Sequence, residues 1–167
     1  MGRRRRQEQG GTPALDALTA AGVPHAVRPY DHDATASAEL GYGEEAARAL
    51  GADPARVFKT LVAEAGDAHV LAVVPVAARL DLKALARAAG AKRAAMAERA
   101  DAERLTGSVI GGISPLGGRT RLPLVLDESA LGHAAILVSA GRRGLDVELA
   151  PQDLLRLTGG TAAPIAR

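Results

Sequence analysis

Two hydrophobic periods alternate along this chain, and glycine and proline mark most of the changes between them. Thr12-Pro13 opens the first helical pattern, with the threonine as N-cap and the proline at the first helical position. Leu15 and Leu18 share a face, and Gly22 closes the helix. Val23 to Tyr30 is extended but carries Pro24 and Pro29, which cannot donate to a ladder, so the segment belongs at a sheet edge. Asp31 to Gly43 is polar and glycine-containing and is expected to be a loop. A short Ala-rich helix should follow over Glu44 to Leu50, closed by Gly51. Val57 to Ala63 reads as a strand, Gly66-Asp67 as a turn and His69 to Val76 as the returning strand, which together make a hairpin.

Asp81 caps a further helix in which Leu82, Leu85, Ala86 and Ala89 lie on one face, and Gly90 stops it. Another helix is expected from Glu98 to Leu105. Thr106 to Arg121 holds five glycines and a proline and is expected to be a long loop around a short Val109-Ile110 strand. Leu124 to Leu126 and Ala134 to Ser139 read as strands, and the glycine turn Ala140 to Gly144 leads into a third, Leu145 to Leu149. Pro151 begins a last helix ending at Gly159-Gly160. Strands and helices alternate irregularly, without repeats, so the class is α/β or α+β with a mixed sheet.

Composition narrows this picture. A chain of 167 residues suits one domain with a real core, but only three residues are aromatic, so Ala, Leu and Val must build that core. The net charge of +2 depends on Arg3, Arg4, Arg5 and Arg6; without those four the remainder carries −2. Nucleic-acid contacts must therefore rest on local clusters. Residues 1–11 lack apolar character and are expected to form a disordered basic leader, with the domain proper over 12–167. The absence of cysteine excludes disulfides, a thiol nucleophile and Cys-ligated metal. No apolar run is long enough to span a membrane and no secretory signal is apparent, so a cytoplasmic location is expected.

Several familiar motifs fail on their context. Gly41-Tyr42-Gly43-Glu44-Glu45-Ala46 matches a dinucleotide fingerprint in form, but no apolar strand precedes it and two glutamates would face the phosphates. The histidines at 25, 32, 69 and 133 lack metal-ligand spacing. Asp31-His32-Asp33 reads as a polar turn rather than a metal site. Ser139 and Ser114 are not framed by a nucleophile elbow. No metal and no cofactor are expected.

Three features stand out. Lys59 is one of only three lysines beside eighteen arginines, and it sits on a strand with two buried-looking faces. Its ammonium must reach a cleft or a partner, or else snorkel from the sheet end. Gly111-Gly112-Ile113-Ser114-Pro115-Leu116-Gly117-Gly118 could bring bare backbone close to a ligand, or could be a plain glycine-rich turn. Ser139-Ala140-Gly141-Arg142-Arg143-Gly144-Leu145-Asp146 offers a hydroxyl, a carboxylate and two guanidiniums, either as a phosphate-binding rim or as a solvated hairpin turn. Tyr30 and Tyr42 flank the polar segment before the Lys59 strand and could wall a pocket or fill the core.

In order and spacing, a set of blocks resembles the YbaK family of trans-acting tRNA editing proteins. They are Thr12-Pro13-Ala14, Tyr30-Asp31-His32-Asp33, Val57-Phe58-Lys59-Thr60-Leu61, Pro75-Val76, Leu80-Asp81-Leu82-Lys83, Gly111 to Gly117, Arg121-Leu122-Pro123 and Arg143-Gly144-Leu145-Asp146. The resemblance covers nearly everything from Thr12 to Arg167. It implies a single α/β domain with a mixed, barrel-like sheet, akin to the editing domain inserted in bacterial prolyl-tRNA synthetases. It implies release of a wrong amino acid from tRNA, chiefly cysteine mischarged onto tRNA for proline, with the substrate's own thiol attacking its ester. By the same resemblance Lys59 is the essential lysine, with Gly112 and Asp146 beside it in the chemistry. Tyr30, Tyr42, Thr60, Gly111, Ser114 and Ser139 would bind substrate, Tyr42 standing where relatives commonly carry Phe. The implied partners are the 3′ terminal adenosine and acceptor end of aminoacyl-tRNA, with prolyl-tRNA synthetase a further one. A sister deacylase that clears alanine or another small amino acid with water, or a non-catalytic RNA- or synthetase-binding module, would use the same scaffold.

Overall fold

Phe58–Ala65 (β2) and Ala68–Pro75 (β3) pair antiparallel over their whole length, from Phe58 opposite Pro75 to Ala65 opposite Ala68, and this hairpin organises the fold. The structure, a computed structural model, describes residues 11–167; the leader expected over residues 1–11 lies outside them except for Gly11. On one side of the hairpin the short strand Ala94–Met96 (β4) pairs antiparallel with β2. On the other, Leu124–Asp127 (β5) runs parallel to β3, and Thr161–Ala163 (β8) parallel to β5. A second, antiparallel sheet has the order β1-β7-β6, from Ala26–Pro29 (β1), Leu145–Leu149 (β7) and Ile136–Arg142 (β6). The proline-bearing β1 takes the edge, as its missing donors require.

The sheets are mixed and helix-flanked, but they do not close into a barrel. They meet at one parallel bridge, Val57 with Leu137. Beyond it a bulge between Ser139 and Arg142 breaks the regular pairing of β6 with β7, and a cavity opens between β2 and β6.

Six α-helices stand around the sheets among the described residues: Pro13–Ala20 (α1), Ala34–Leu40 (α2), Tyr42–Leu50 (α3), Leu82–Ala88 (α4), Arg99–Thr106 (α5) and Pro151–Thr158 (α6). Thr12 Oγ1 accepts the Leu15 amide at 3.2 Å, and Asp81 caps α4 through the Ala84 amide at 3.0 Å, both as the sequence predicts. The expected loop over Asp31 to Gly43 is instead largely helical. Asp33 accepts the amides of Thr35 and Ala36 and so caps α2, and α3 starts at Tyr42 rather than Glu44. Glu45, buried on α3, accepts the Asp33 amide at 2.6 Å and the His32 Nδ1–H at 3.0 Å, which locks the polar segment to the helix. Those bonds also occupy the carboxylate that the dinucleotide reading would have aimed at a phosphate. Val109-Ile110 is not a strand: the segment folds back, with the Gly112 amide on the Val109 carbonyl at 2.9 Å. Strands β4 and β8, of three residues each, are too short to announce themselves by periodicity.

Alternation along β2 divides the core. Phe58 and Val62 join Leu18, Val73, Leu126, Ile136, Val138, Val147 and Leu154 in the larger cluster; Ala63 and Ala65 join Val74, Leu85, Val125 and Ile165 on the opposite face. The second cluster is held by Asp127, a buried carboxylate that accepts the Ile165 and Ala166 amides at 3.0 Å each, as well as the Ser129 amide and hydroxyl. Asp127→Ala strands those donors, at a cost of about 1–3 kcal/mol. Thermal denaturation should show a melting temperature lower by about 3–10 °C, with a smaller fall for Asp127→Asn; a change within 1 °C would refute this account.

Candidate active site

The cavity between the sheets has a volume of about 200 Å³. Its walls are mostly apolar, from Phe58, Val62, Met96, Ala102, Ile110 and Ile113. Seven of the nine residues singled out in the sequence line it: Tyr30, Tyr42, Lys59, Thr60, Gly111, Ser139 and Asp146. Segments separated by more than a hundred residues thus meet at one place.

Lys59 resolves as a lysine at a cleft. Its Nζ donates to the Ala78 carbonyl at 2.8 Å, and it forms no ion pair with a described residue. Burial pushes the ammonium below its ordinary pKa; the Glu44 carboxylate opposes that shift and the Arg79 charge adds to it. Thr60, next along the strand, is 9% exposed, and its Oγ1 lacks a hydrogen-bond partner. Ser139 and Asp146 face each other across β6 and β7, and the Ser139 hydroxyl accepts the Gly141 amide at 3.2 Å. Asp146 is 5% exposed, and burial raises its carboxyl to about 7. Tyr30 is pushed up to about 12, first by burial and then by the Asp146 charge, with a Gly144 backbone hydrogen bond opposing and the Glu45 charge adding.

Gly111 shows why the loop needs glycine. Its φ is +89°, and a Cβ there would lie 2.5 Å from Tyr42 Cγ, so the bare backbone lies against the tyrosine ring. Arg143 completes the contact. Its guanidinium carbon stands 4.5 Å from the centroid of the same ring, and its Nε donates to the Ile110 carbonyl at 2.9 Å. The Ile110 amide in turn donates to Glu103 at 3.1 Å, so this wall residue is held through both its amide and its carbonyl. Arg143 is therefore an internal clamp rather than a phosphate rim or a solvated turn. Glu103 went unnoticed in the sequence, where a glutamate on a polar helix carries no signal of its own.

Gly112 and Ser114 do not reach the cavity. The Gly112 amide is bound to Val109, and a Cβ on it would lie 2.8 Å from the Arg143 nitrogen. Its close approach is thus to the β6–β7 turn. Ser114 is buried, accepts the Leu116 amide at 3.2 Å and lines a neighbouring cavity of about 190 Å³ with Leu116 and Leu122. Away from the site, Glu64, His69 and Asp101 bring possible ligand atoms within 4.8 Å of one another. None of the three borders the cavity, and His69 Nε2 already lies 3.5 Å from Glu64.

Two outcomes test this geometry. Gly111→Ala forces both an unfavourable φ and a shift of Tyr42, costing about 1–3 kcal/mol; calorimetry should register that loss, and unchanged stability would mean that the ring does not rest on the loop. For Asp146, the folded state binds a proton more tightly than the unfolded chain between the ordinary value of 3.8 and about 7. Its contribution to stability is full at acid pH, falls as pH rises through that window and levels off above it. Asp146→Asn removes the dependence, so melting curves at pH 5 and pH 8 should show the variant gaining about 5 °C on the parent at the higher pH. Parallel pH profiles would refute the burial effect.

Known proteins resemble this chain in both sequence and fold. The family described as aminoacyl-tRNA editing domain matches residues 41–157. EbsC of Enterococcus faecalis, assigned by name as a Cys-tRNA(Pro)/Cys-tRNA(Cys) deacylase, is 45% identical over 123 residues, covering 73% of this chain and 75% of its own. The Escherichia coli multifunctional Ser/Thr-tRNA deacylase ProXp-y is 36% identical over 90 residues, about half of either chain. A crystal structure described as that of a trans-editing enzyme for prolyl-tRNA synthetase superposes with a TM-score of 0.79 at 30% identity, covering 95% of this chain and 99% of that one. Given that match over most of the sequence and a fold shared from end to end, this chain belongs to the aminoacyl-tRNA editing domain family.

Proposed function

We propose that this protein releases cysteine from tRNA(Pro), by chemistry in which the substrate supplies the nucleophile. The observation that carries this reading is the composition of the cavity. Its lining contains a lysine, two tyrosines, two hydroxyls and one carboxylate, but no histidine and no cysteine. Ser139 thus has no imidazole beside it to take its proton, and its hydroxyl oxygen already accepts a backbone amide. Apolar walls suit a thiol-bearing side chain, and the likeness to EbsC supports the same amino acid.

In the proposed step the cysteinyl sulfur attacks its own ester carbonyl. The S–C bond forms, the C–O bond to the ribose breaks, and the thiol proton ends on the departing ribose oxygen with help from the neighbouring ribose hydroxyl. The protein's share is alignment and exclusion of water. Lys59 holds the terminal adenosine or its phosphate at the cavity mouth, and Tyr30, Tyr42, Ile110 and Gly111 hold the aminoacyl group. The tRNA would reach the site in the cytoplasm, with prolyl-tRNA synthetase as the protein that delivers it.

One observation favours a second reading. The buried, unpartnered Thr60 hydroxyl could pair with a substrate hydroxyl, and ProXp-y is named for Ser and Thr; water would then be the nucleophile. A panel of tRNAs charged with Cys, Ala, Ser, Thr and Pro separates the two. Fastest release from Cys-tRNA(Pro) is expected, and release from none would overturn the deacylase reading. Lys59→Ala should slow the best substrate by at least about tenfold, and activity within twofold of the parent would remove Lys59 from the machinery.

A further inference from the structure

We infer that Asp146 is a subsite for the free α-ammonium group of the aminoacyl ester, so that the cavity accepts amino esters and turns away N-acylated and peptidyl ones. The inference rests on the deacylase reading above and adds what selects the backbone end of the substrate, which the side-chain pocket does not.

A carboxylate 5% exposed is costly unless it keeps a proton or a cation meets it. Among the described residues none does. No Lys, Arg or His lies within ion-pair distance of Asp146. Its cross-strand neighbour Arg28 turns to Glu148 at 3.3 Å, and Lys59, the one basic residue lining the cavity, gives its Nζ to Ala78. The protein therefore buries a carboxyl at a ligand cavity and directs its own described cations elsewhere. A cation carried by the ligand balances it, and the α-ammonium is the one cation that every aminoacyl ester carries whatever its side chain.

The neighbours fit three N–H donors. Ser139 stands directly opposite Asp146, and its hydroxyl oxygen keeps a second acceptor site. Thr60 borders the same cavity with its buried hydroxyl unpartnered. Carboxylate, serine and threonine oxygens together supply three acceptors. An N-acyl nitrogen keeps one N–H and no charge, and it brings its carbonyl oxygen towards the buried carboxyl. Truncating one side of a buried charge pair weakens an interaction by about 30-fold or more, and acylation does the same from the substrate side.

The experiment measures initial release rates from Cys-tRNA(Pro) and from N-acetyl-Cys-tRNA(Pro), which keeps the thiol, by the parent and by Asp146→Asn. The parent should favour the free amine by about 30-fold or more. The variant should lose rate on Cys-tRNA(Pro) and keep its low rate on the acetylated substrate, so the ratio falls to within about threefold. A parent that releases both within threefold overturns the inference while leaving the deacylase reading intact. A variant slowed equally on both assigns Asp146 to the chemistry or the fold and also overturns it. A parent inactive on all charged tRNAs is a failure of the deacylase reading. The inference is then decided by thermal shift of the parent: stabilisation by cysteine methyl ester and not by N-acetylcysteine methyl ester upholds it, and equal shifts or none refute it.

Discussion

The site depends on a tyrosine ring lying against bare backbone. Tyr42 begins α3, Gly111 presents a Cα without a side chain to one part of its ring, and the Arg143 guanidinium stands over the ring 4.5 Å from its centre. Helix, glycine loop and β6–β7 turn, which share no secondary structure, are fixed to one another there. A cation on a partly desolvated ring is worth roughly 0.5–2 kcal/mol, and the hydrogen bonds of the Ile110 amide and carbonyl add to that. No single term is large, but each needs the others in place. A Cβ at Gly111 would displace the ring, and a displaced ring would leave Arg143 without its stacking surface.

Around this contact the cavity separates its charges. Lys59 stands with its ammonium on a backbone carbonyl, while Asp146 is buried in the central strand of the smaller sheet. Had the two been paired, they would have neutralised each other and left a ligand nothing to complete. Kept apart, the ammonium and the carboxyl both stay open to a ligand at the same cavity. Under the proposed function, an aminoacyl-tRNA end carries both complements, a phosphate on one side of the ester and an ammonium on the other.

Much of this was legible in the sequence, and the exceptions have physical causes. The β2–β3 hairpin, the capped helices α1 and α4 and the edge position of β1 follow from turn residues, caps and prolines that act locally. Lys59 stood out because a lysine on a buried strand is costly wherever the chain leads. Helix α2 was missed because its signal is Asp33 as a cap, and the cap is supported by Glu45, twelve residues further on. The glycine loop stayed open between a ligand contact and a plain turn because sequence shows that a backbone can come close to something, not to what. Arg143 was ambiguous for the same reason: an arginine beside glycine looks solvated until its ring and carbonyl partners are seen. The two sheets were expected as one barrel-like surface, and only the bulge after Ser139 shows where they part.

That parting has a mechanical consequence. The sheets are joined by the Val57–Leu137 bridge, and a small separate cluster of Ala47, Val57, Val76 and Leu137, supported by Leu50 and Ala52, sits behind it. This cluster packs where the two sheets join. Neither Val57 nor Leu137 lines the cavity, yet their volumes set the angle at which the sheets diverge, because a close-packed interior passes a displaced methyl group on to its neighbours. The shape of the cavity thus depends on residues outside its lining. A change of volume at Val57 or Leu137 would therefore reach the cavity through packing, with every lining residue unchanged.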